Sequence, residues 1–250
     1  MSSVDILTVL LFHEIDGSDG ESDFLDLDEL DEIPSPQGSS SPLQRKGDKL
    51  IVSNAQIAPL LYAAQQLKSD SSLPFTLNPS SSELSFLAAP TGSLGQGLSI
   101  ANGYALSSKV EGQENSIFVL MGDGELQAGQ VWEAAMTAAH HKLSTVCAIV
   151  DCNGSQREGT LVECKNIEPL LEKWRAFGWD AIEVNGHSVG DLMRAFSAAK
   201  KLKEKPSVIL AKTVKGKGVF SLEHVLGYGS TSISAEDADR AIEAMTPLEE

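Results

Sequence analysis

A chain of 250 residues can bury the core of one full α/β domain, and its formal net charge of −16 excludes a surface built to hold nucleic acid. Ten of the acidic residues lie between Glu14 and Glu32, where no Lys or Arg occurs, so much of the acidity is local. Cys147, Cys152 and Cys164 form no CxxC pair, which suits a reducing cytoplasm, and no apolar run reaches the length needed to cross a membrane.

Val4 to Ile15 is predicted as a short N-terminal helix, within residues 1–15, with Ser3 and Asp5 at its start. Residues 16–47 carry Asp, Glu, Ser, Pro and Gly, including Pro34-Ser-Pro36 and Ser39-Ser-Ser41. Such a stretch has too little apolar surface to fold alone, and it reads as a flexible acidic insertion, either a loop without a role or an acidic docking arm. The α/β domain is expected over 48–250. Leu50 to Val52 is a strand, and a helix follows near Ala58 to Ala63, with Pro59 tolerated in its first turn. Ser69 to Ser82 is a polar loop. The Gly-rich turn Thr91 to Gly97 opens a helix to about Lys109. Ser116 to Met121 and Thr145 to Val150 are strands, and the residues from Glu125 to Lys142 favour a helix between them. Helix at Ile167 to Phe177, strand at Asp180 to Val184, helix at Val189 to Lys201 and strand at Ser207 to Lys212 complete the alternation. That order predicts an α/β fold, a doubly wound, mostly parallel sheet with helices on both faces.

Chemistry concentrates where two of these strands end. Gly122-Asp123-Gly124-Glu125 closes one apolar run and Asn153 follows the next. In a parallel strand-helix-strand unit both polar ends emerge at the carboxyl edge of the sheet, where ligands of open α/β sheets sit. A diphosphate would be repelled by a bare carboxylate, so a divalent cation belongs between the two. Mg2+ suits that place because it takes hard oxygen donors and keeps water or phosphate oxygens as its remaining ligands. Asp123 offers a carboxylate oxygen, Asn153 an amide oxygen, and the turn at Gly154-Ser155 one main-chain carbonyl. Gly122 and Gly124 allow close approach of the backbone to phosphate. Taken alone, Gly-Asp-Gly is also an ordinary turn; the strand before it and the Asn after the second strand favour the metal-diphosphate reading.

Thr91-Gly-Ser-Leu-Gly-Gln-Gly-Leu98, the stretch from Gly122-Asp-Gly-Glu-Leu-Gln-Ala-Gly-Gln-Val-Trp-Glu to Ala134, Val150-Asp-Cys-Asn-Gly154 and Lys212-Thr-Val-Lys-Gly-Lys-Gly218 closely resemble the N-terminal half of transketolase. More narrowly, they resemble the N-terminal subunit of split transketolases. The resemblance runs from about Ile51 to Gly229, and more weakly over Ser2 to Glu14. It implies thiamine diphosphate held through Mg2+, with Asp123 and Asn153 as side-chain ligands and Ser155 as the main-chain ligand. Gly92 and Leu94 would approach the thiamine rings and Gly122 and Gly124 the diphosphate, with Glu125 in the same cofactor-binding set. The implied reaction moves a two-carbon unit from a ketose or ketose phosphate donor to an acceptor. The family's glutamate that activates the aminopyrimidine belongs to the other, pyrimidine-binding half, which nothing in this chain matches. A separate C-terminal partner subunit is therefore expected, with the cofactor at the interface and a heterotetramer as the assembly.

Several family positions differ. The early Ser-Gly-His-Pro segment is absent, and Ser53-Asn-Ala-Gln56 stands where the family reads Ser-Lys-Gly-His. Glu83 to Pro90 holds no Gly-His-Pro, Gly227-Tyr228-Gly229 replaces Trp-His-Gly, and Leu126-Gln-Ala128-Gly replaces Leu-Gln-Glu-Gly. Gln56, Tyr228 and His224 are the remaining catalytic candidates. Gln56 and Tyr228 can hydrogen-bond but do not titrate as imidazole does, and loss of one acid-base group typically costs about 10²- to 10⁴-fold in rate. The expectation is a transketolase-like enzyme with a non-standard acceptor, such as a carrier thiol, a thioester carrier or a lipoyl-type disulfide. The alternatives are an ordinary split transketolase whose histidines are supplied differently, and a non-catalytic cofactor-binding subunit. Elsewhere, His140-His141 is expected to end a helix, His187 to lie on the surface, Lys200 to Lys205 to form a solvated helix end, Trp132 and Met136 to pack in the core, and Lys215 to Gly218 to cover the cofactor.

Overall fold

Three apolar runs are buried at nearly every position, which is what strands covered on both faces require. They are β2 (Ile117–Gly122), β3 (Val146–Cys152) and β7 (Ser207–Lys212). With β1 (Lys49–Val52) and β6 (Asp180–Asn185) they form a five-stranded, all-parallel sheet in the order β1-β2-β3-β7-β6. A two-stranded antiparallel hairpin, β4 (Ser155–Gln156) and β5 (Gly159–Thr160), stands beyond the end of β3. The computed structural model describes residues 2–14, 48–69, 87–88, 94–156, 158–219, 222–223 and 234–245. The acidic insertion expected at 16–47, the polar loop after Ser69, Gly92, His224 and Tyr228 lie outside the described residues.

Alternate strand residues face opposite sides, and each side has its own core. On one side Ile51, Val119, Met121, Ala148, Val150, Val208 and Leu210 meet α3 (Gly97–Val110), α4 (Gly129–His140) and α6 (Leu170–Ala176). On the other, Leu50, Val52, Phe118, Leu120, Ile149, Ile209 and Ala211 meet α1 (Val4–Val9), α2 (Ala58–Ser69) and α7 (Val189–Lys201). The chain steps from β1 to β2 to β3 in one direction and from β6 back to β7 in the other. Right-handed crossovers then place α4 and α7 on opposite faces, and the sheet is doubly wound as the alternation predicts. Among the described residues no helix is long and apolar enough to cross a membrane.

Local structure departs from the sequence reading in several places. The helix expected from Glu125 is broken: Asp123–Gln127 is a 3-10 turn, Ala128 is extended (φ −80°, ψ 128°), and α4 begins at Gly129. The Glu125 carboxylate turns back to accept from the Gly122 N–H at 2.8 Å, and the Trp132 indole donates to the Leu126 carbonyl at 2.8 Å, which fixes the break. The first helix passes into a π-helical turn at Leu10–Glu14. Ser3 makes no capping bond, because its hydroxyl is drawn to the buried carboxylate of Asp151. The helix expected from Ile167 starts only at Leu170, after Pro169 in an extended conformation. Met136 is 54% exposed rather than core, while Trp132 stacks obliquely on Trp174 and Phe177. The hairpin β4/β5 and two helices went unforeseen. The one-turn helix α5 (Leu161–Cys164) is held by a Thr160/Glu163 capping box, and α8 (Ala235–Met245) has the Asp237 N–H bonded to the Ser234 hydroxyl.

Candidate functional site

The carboxyl edge of the sheet gathers the polar residues. Register pairs Gly122 with Asp151, so Asp123 and Asn153 leave adjacent strands side by side. Asp123 is 3% exposed; its Oδ1 accepts from the Gly124 N–H at 2.8 Å and its Oδ2 from the Gly154 N–H at 2.7 Å. Asn153 Oδ1 accepts from the Ser155 N–H at 3.0 Å. Both side chains therefore converge on one turn, whose Gly154 has φ +69°, a conformation that other L-residues rarely adopt.

The acids at this edge are buried and held by neutral donors. Burial, with the nearby Asp151 adding to it, pushes the Asp123 carboxyl up to about 7, against the pull of the Gly154 and Gly124 N–H groups. Burial also raises Glu125, opposed by Ser53, Gly95 and Gly122, and it raises the Cys152 thiol, with Asp123 as a second cause. Asp151 is 5% exposed and accepts from three hydroxyls, those of Ser2 at 2.6 Å, Ser3 and Thr213. Among the described residues no Lys or Arg forms an ion pair with Asp123, Glu125 or Asp151. Nor is any group of three or more His, Cys, Asp or Glu residues there placed to hold a metal. One carboxylate, one amide and one main-chain carbonyl are a hard, oxygen-only set, which fits a cation that keeps phosphate and water as ligands and does not fit zinc.

Glu125 sits behind this edge. Its Oε1 accepts from the Ser53 hydroxyl at 2.5 Å and the Gly95 N–H at 2.9 Å, and its Oε2 from the Gly122 N–H. Within the chain it ties the ends of β1 and β2 to the Gly-rich turn; its oxygens are committed to positioning those loops. Gly97 is needed at that turn, since a Cβ there would lie 2.7 Å from the Ser53 Cβ. At Gly122 and Gly124 a Cβ would meet neighbours only at 3.4 and 3.5 Å, so the chain's own packing sets no strong demand for glycine at either position. Leu94, on the Gly-rich turn, is 59% exposed. Gln56 is exposed in a 3-10 turn (Ala55–Ile57) just past β1, at the same edge, with its N–H bonded to Asn54 Oδ1 at 2.8 Å.

One residue stands elsewhere than the sequence suggests. His187 is not a surface residue: its side chain is 14% exposed, Nε2 accepts from the Val214 N–H at 2.8 Å, and Nδ1 therefore carries the proton donated to Asp5 at 2.8 Å. This pair pins α1 to the loop after β7. On the same loop, Lys215 Nζ stands 3.5 Å from Ser155 Oγ, at the rim of the Gly154-Ser155 turn.

An all-parallel, doubly wound sheet with its polar residues gathered at the carboxyl edge defines the class, a ligand-binding α/β domain. The sequence profile of the transketolase thiamine diphosphate binding domain matches residues 42–244. The 6-deoxy-6-sulfo-D-fructose transketolase subunit SqwG of Clostridium sp. (strain MSTE9) is 38% identical over 200 residues, covering 76% of this chain and 73% of its own. One of the subunits of the apulose-4-phosphate transketolase of Phocaeicola vulgatus is 33% identical over 211 residues, covering 80% and 75%. The crystal structure of transketolase from Campylobacter jejuni superposes with a TM-score of 0.68 at 31% identity, over 78% of this chain and 34% of that one. The chain belongs to the transketolase family, and what it carries is that family's thiamine diphosphate binding domain.

Proposed function

We propose that this chain is the diphosphate-binding subunit of a two-subunit, transketolase-like enzyme that holds thiamine diphosphate through Mg2+ and transfers a two-carbon unit from a ketose or ketose phosphate. The observation that carries this reading is the convergence of Asp123 and Asn153, from adjacent strand ends, on the one Gly154-Ser155 turn. Asp123 supplies a carboxylate oxygen and Asn153 an amide oxygen. The Gly154 carbonyl is engaged by the Leu161 N–H at 3.0 Å, so the main-chain ligand falls to Ser155. A cation there neutralises the carboxylate that burial otherwise holds half-protonated near neutral pH.

Thiamine diphosphate, when bound, supplies the carbon nucleophile that the protein's own side chains lack. The chain's residues bind and orient it. Gly92 and Leu94 flank the rings, Gly122 and Gly124 admit the diphosphate, Glu125 braces the turns behind them, and Lys215 at the rim offsets phosphate charge. Gln56, Tyr228 and His224 are the groups left to meet the sugar. The domain division proposed is an N-terminal helix (1–15), an acidic insertion (16–47) and the cofactor-binding body (48–250), working in the cytoplasm in a heterotetramer with the pyrimidine-binding subunit.

Gln56 in place of an imidazole favours an acceptor other than a common aldose phosphate, such as a lipoyl or carrier thiol. Ketose-to-aldose transfer is the second reading, and the names of the two split-subunit relatives favour it, since both are transketolase subunits for unusual sugars. Substrate profiling of the chain reconstituted with a pyrimidine-binding subunit separates the two. Turnover of a ketose phosphate that needs a lipoyl or thiol carrier and no aldose supports the first reading, and aldose-dependent turnover the second. Saturable cofactor binding with no turnover in the pair overturns both in favour of a non-catalytic subunit. Ordinary turnover by the chain alone overturns the claim that it is half of a centre.

A further inference from the structure

The chemistry proposed above makes no use of Asp151 or Ser2, yet both are buried close to Asn153. Asp151 is two residues before Asn153 on β3. As a carboxylate it only accepts, so the single hydroxyl proton of Ser2 is committed to it across 2.6 Å. Toward any other neighbour the Ser2 oxygen can then only accept. That neighbour is the Asn153 amide nitrogen at 3.4 Å, a long contact whose polarity matters more than its strength. At its other end the Asn153 amide oxygen accepts from the Ser155 N–H, which can only donate. Each end of the amide thus faces a partner of fixed polarity. A flipped Asn153 would set oxygen against oxygen at Ser2 and N–H against N–H at Ser155.

We infer that Ser2 and Asp151 are positioning residues for Asn153, holding its amide oxygen, rather than its nitrogen, on the Gly154-Ser155 side where the cation is placed. This rests on the cation site proposed above. The relay is itself anchored at both ends. The Thr213 hydroxyl donates to the other Asp151 oxygen, and Asp5 binds His187, which fixes the segment that carries Ser2. An amide that is free to rotate presents a donor to the cation in part of the population, so affinity falls without loss of any ligand.

Ser3 provides an internal control, because its hydroxyl donates to the same Asp151 oxygen and has no bond to Asn153. The test titrates Mn2+ and thiamine diphosphate together into the chain reconstituted with a pyrimidine-binding subunit, by calorimetry, alongside melting temperatures. Ser2→Ala is expected to weaken binding about 10-fold and Asp151→Asn about 10- to 100-fold, the range for groups that orient a ligand. Ser3→Ala should lose comparable thermal stability to Ser2→Ala and keep its affinity. Equal affinities for Ser2→Ala, Ser3→Ala and the unaltered chain, with Asp123→Ala binding nothing, would leave the cation site standing and overturn the positioning role. An unaltered pair that binds nothing, or an Asp123→Ala variant of it that binds as tightly, overturns the site and the inference with it.

Discussion

At the scale of single residues, the site is a concentration of buried acid that the chain's own N–H and hydroxyl donors stabilise. Asp123 titrates near 7 instead of its ordinary 3.8, so between those values the folded state binds a proton more tightly than the unfolded one. Its contribution to the stability of the metal-free chain is accordingly full below about pH 4 and is lost as the pH rises through about 7. Urea unfolding at about pH 5 and about pH 8, without divalent cation, should show that loss in the native chain and much less of it in Asp123→Asn. Saturating Mg2+ with thiamine diphosphate should restore stability at the higher pH. Glu125→Gln is expected to cost about 1–3 kcal/mol in the same assay, since an amide nitrogen would face one of the N–H donors now satisfied by a carboxylate. That Asp123 and Asn153 meet at one sheet edge was legible because both follow strands that the sequence marks clearly. The bracing role of Glu125 was not, because its partners Ser53 and Gly95 lie 72 and 30 residues away along the chain. His187 was misread as a surface residue for the same reason: Asp5, 182 residues distant, meets it only after folding.

At the scale of elements, strands buried on both faces announced themselves as unbroken apolar runs, and their order gave the doubly wound sheet. What composition concealed is where side chains override helix propensity. Helix formers dominate the stretch from Glu125, interrupted at Gly129, yet the returning Glu125 carboxylate and the Trp132 indole close a 3-10 turn ahead of α4. Ser234 to Asp237 has the spacing of a capping box, a signal for α8 that was there to be read. Two glycines of α3 make a matched test of packing against propensity. Gly97→Ala forces a methyl to 2.7 Å from the Ser53 Cβ and should destabilise by about 1–3 kcal/mol. Gly103→Ala meets nothing within 4 Å and should stabilise by about 0.5–1 kcal/mol, through helix propensity alone. Chemical denaturation of the two variants reads both signs.

At the scale of the whole molecule, the chain spans about three quarters of its subunit relatives and only about a third of the Campylobacter transketolase. The family was legible in the Gly-Asp-Gly, Asn-Gly and Lys-Gly motifs, and the fold in the alternation of strands and helices. The acceptor was not, because the side chain at Gln56 can hydrogen-bond to many groups and so does not by itself select one class of acceptor. The decisive measurement is an anomalous difference map from crystals of the chain in complex with a pyrimidine-binding subunit, grown with Mn2+ and thiamine diphosphate. One strong peak about 2.2 Å from an Asp123 carboxylate oxygen, Asn153 Oδ1 and the Ser155 carbonyl oxygen is the predicted result. A well-occupied peak elsewhere, with those three oxygens more than about 4 Å from it, would contradict the site on which the proposed function rests.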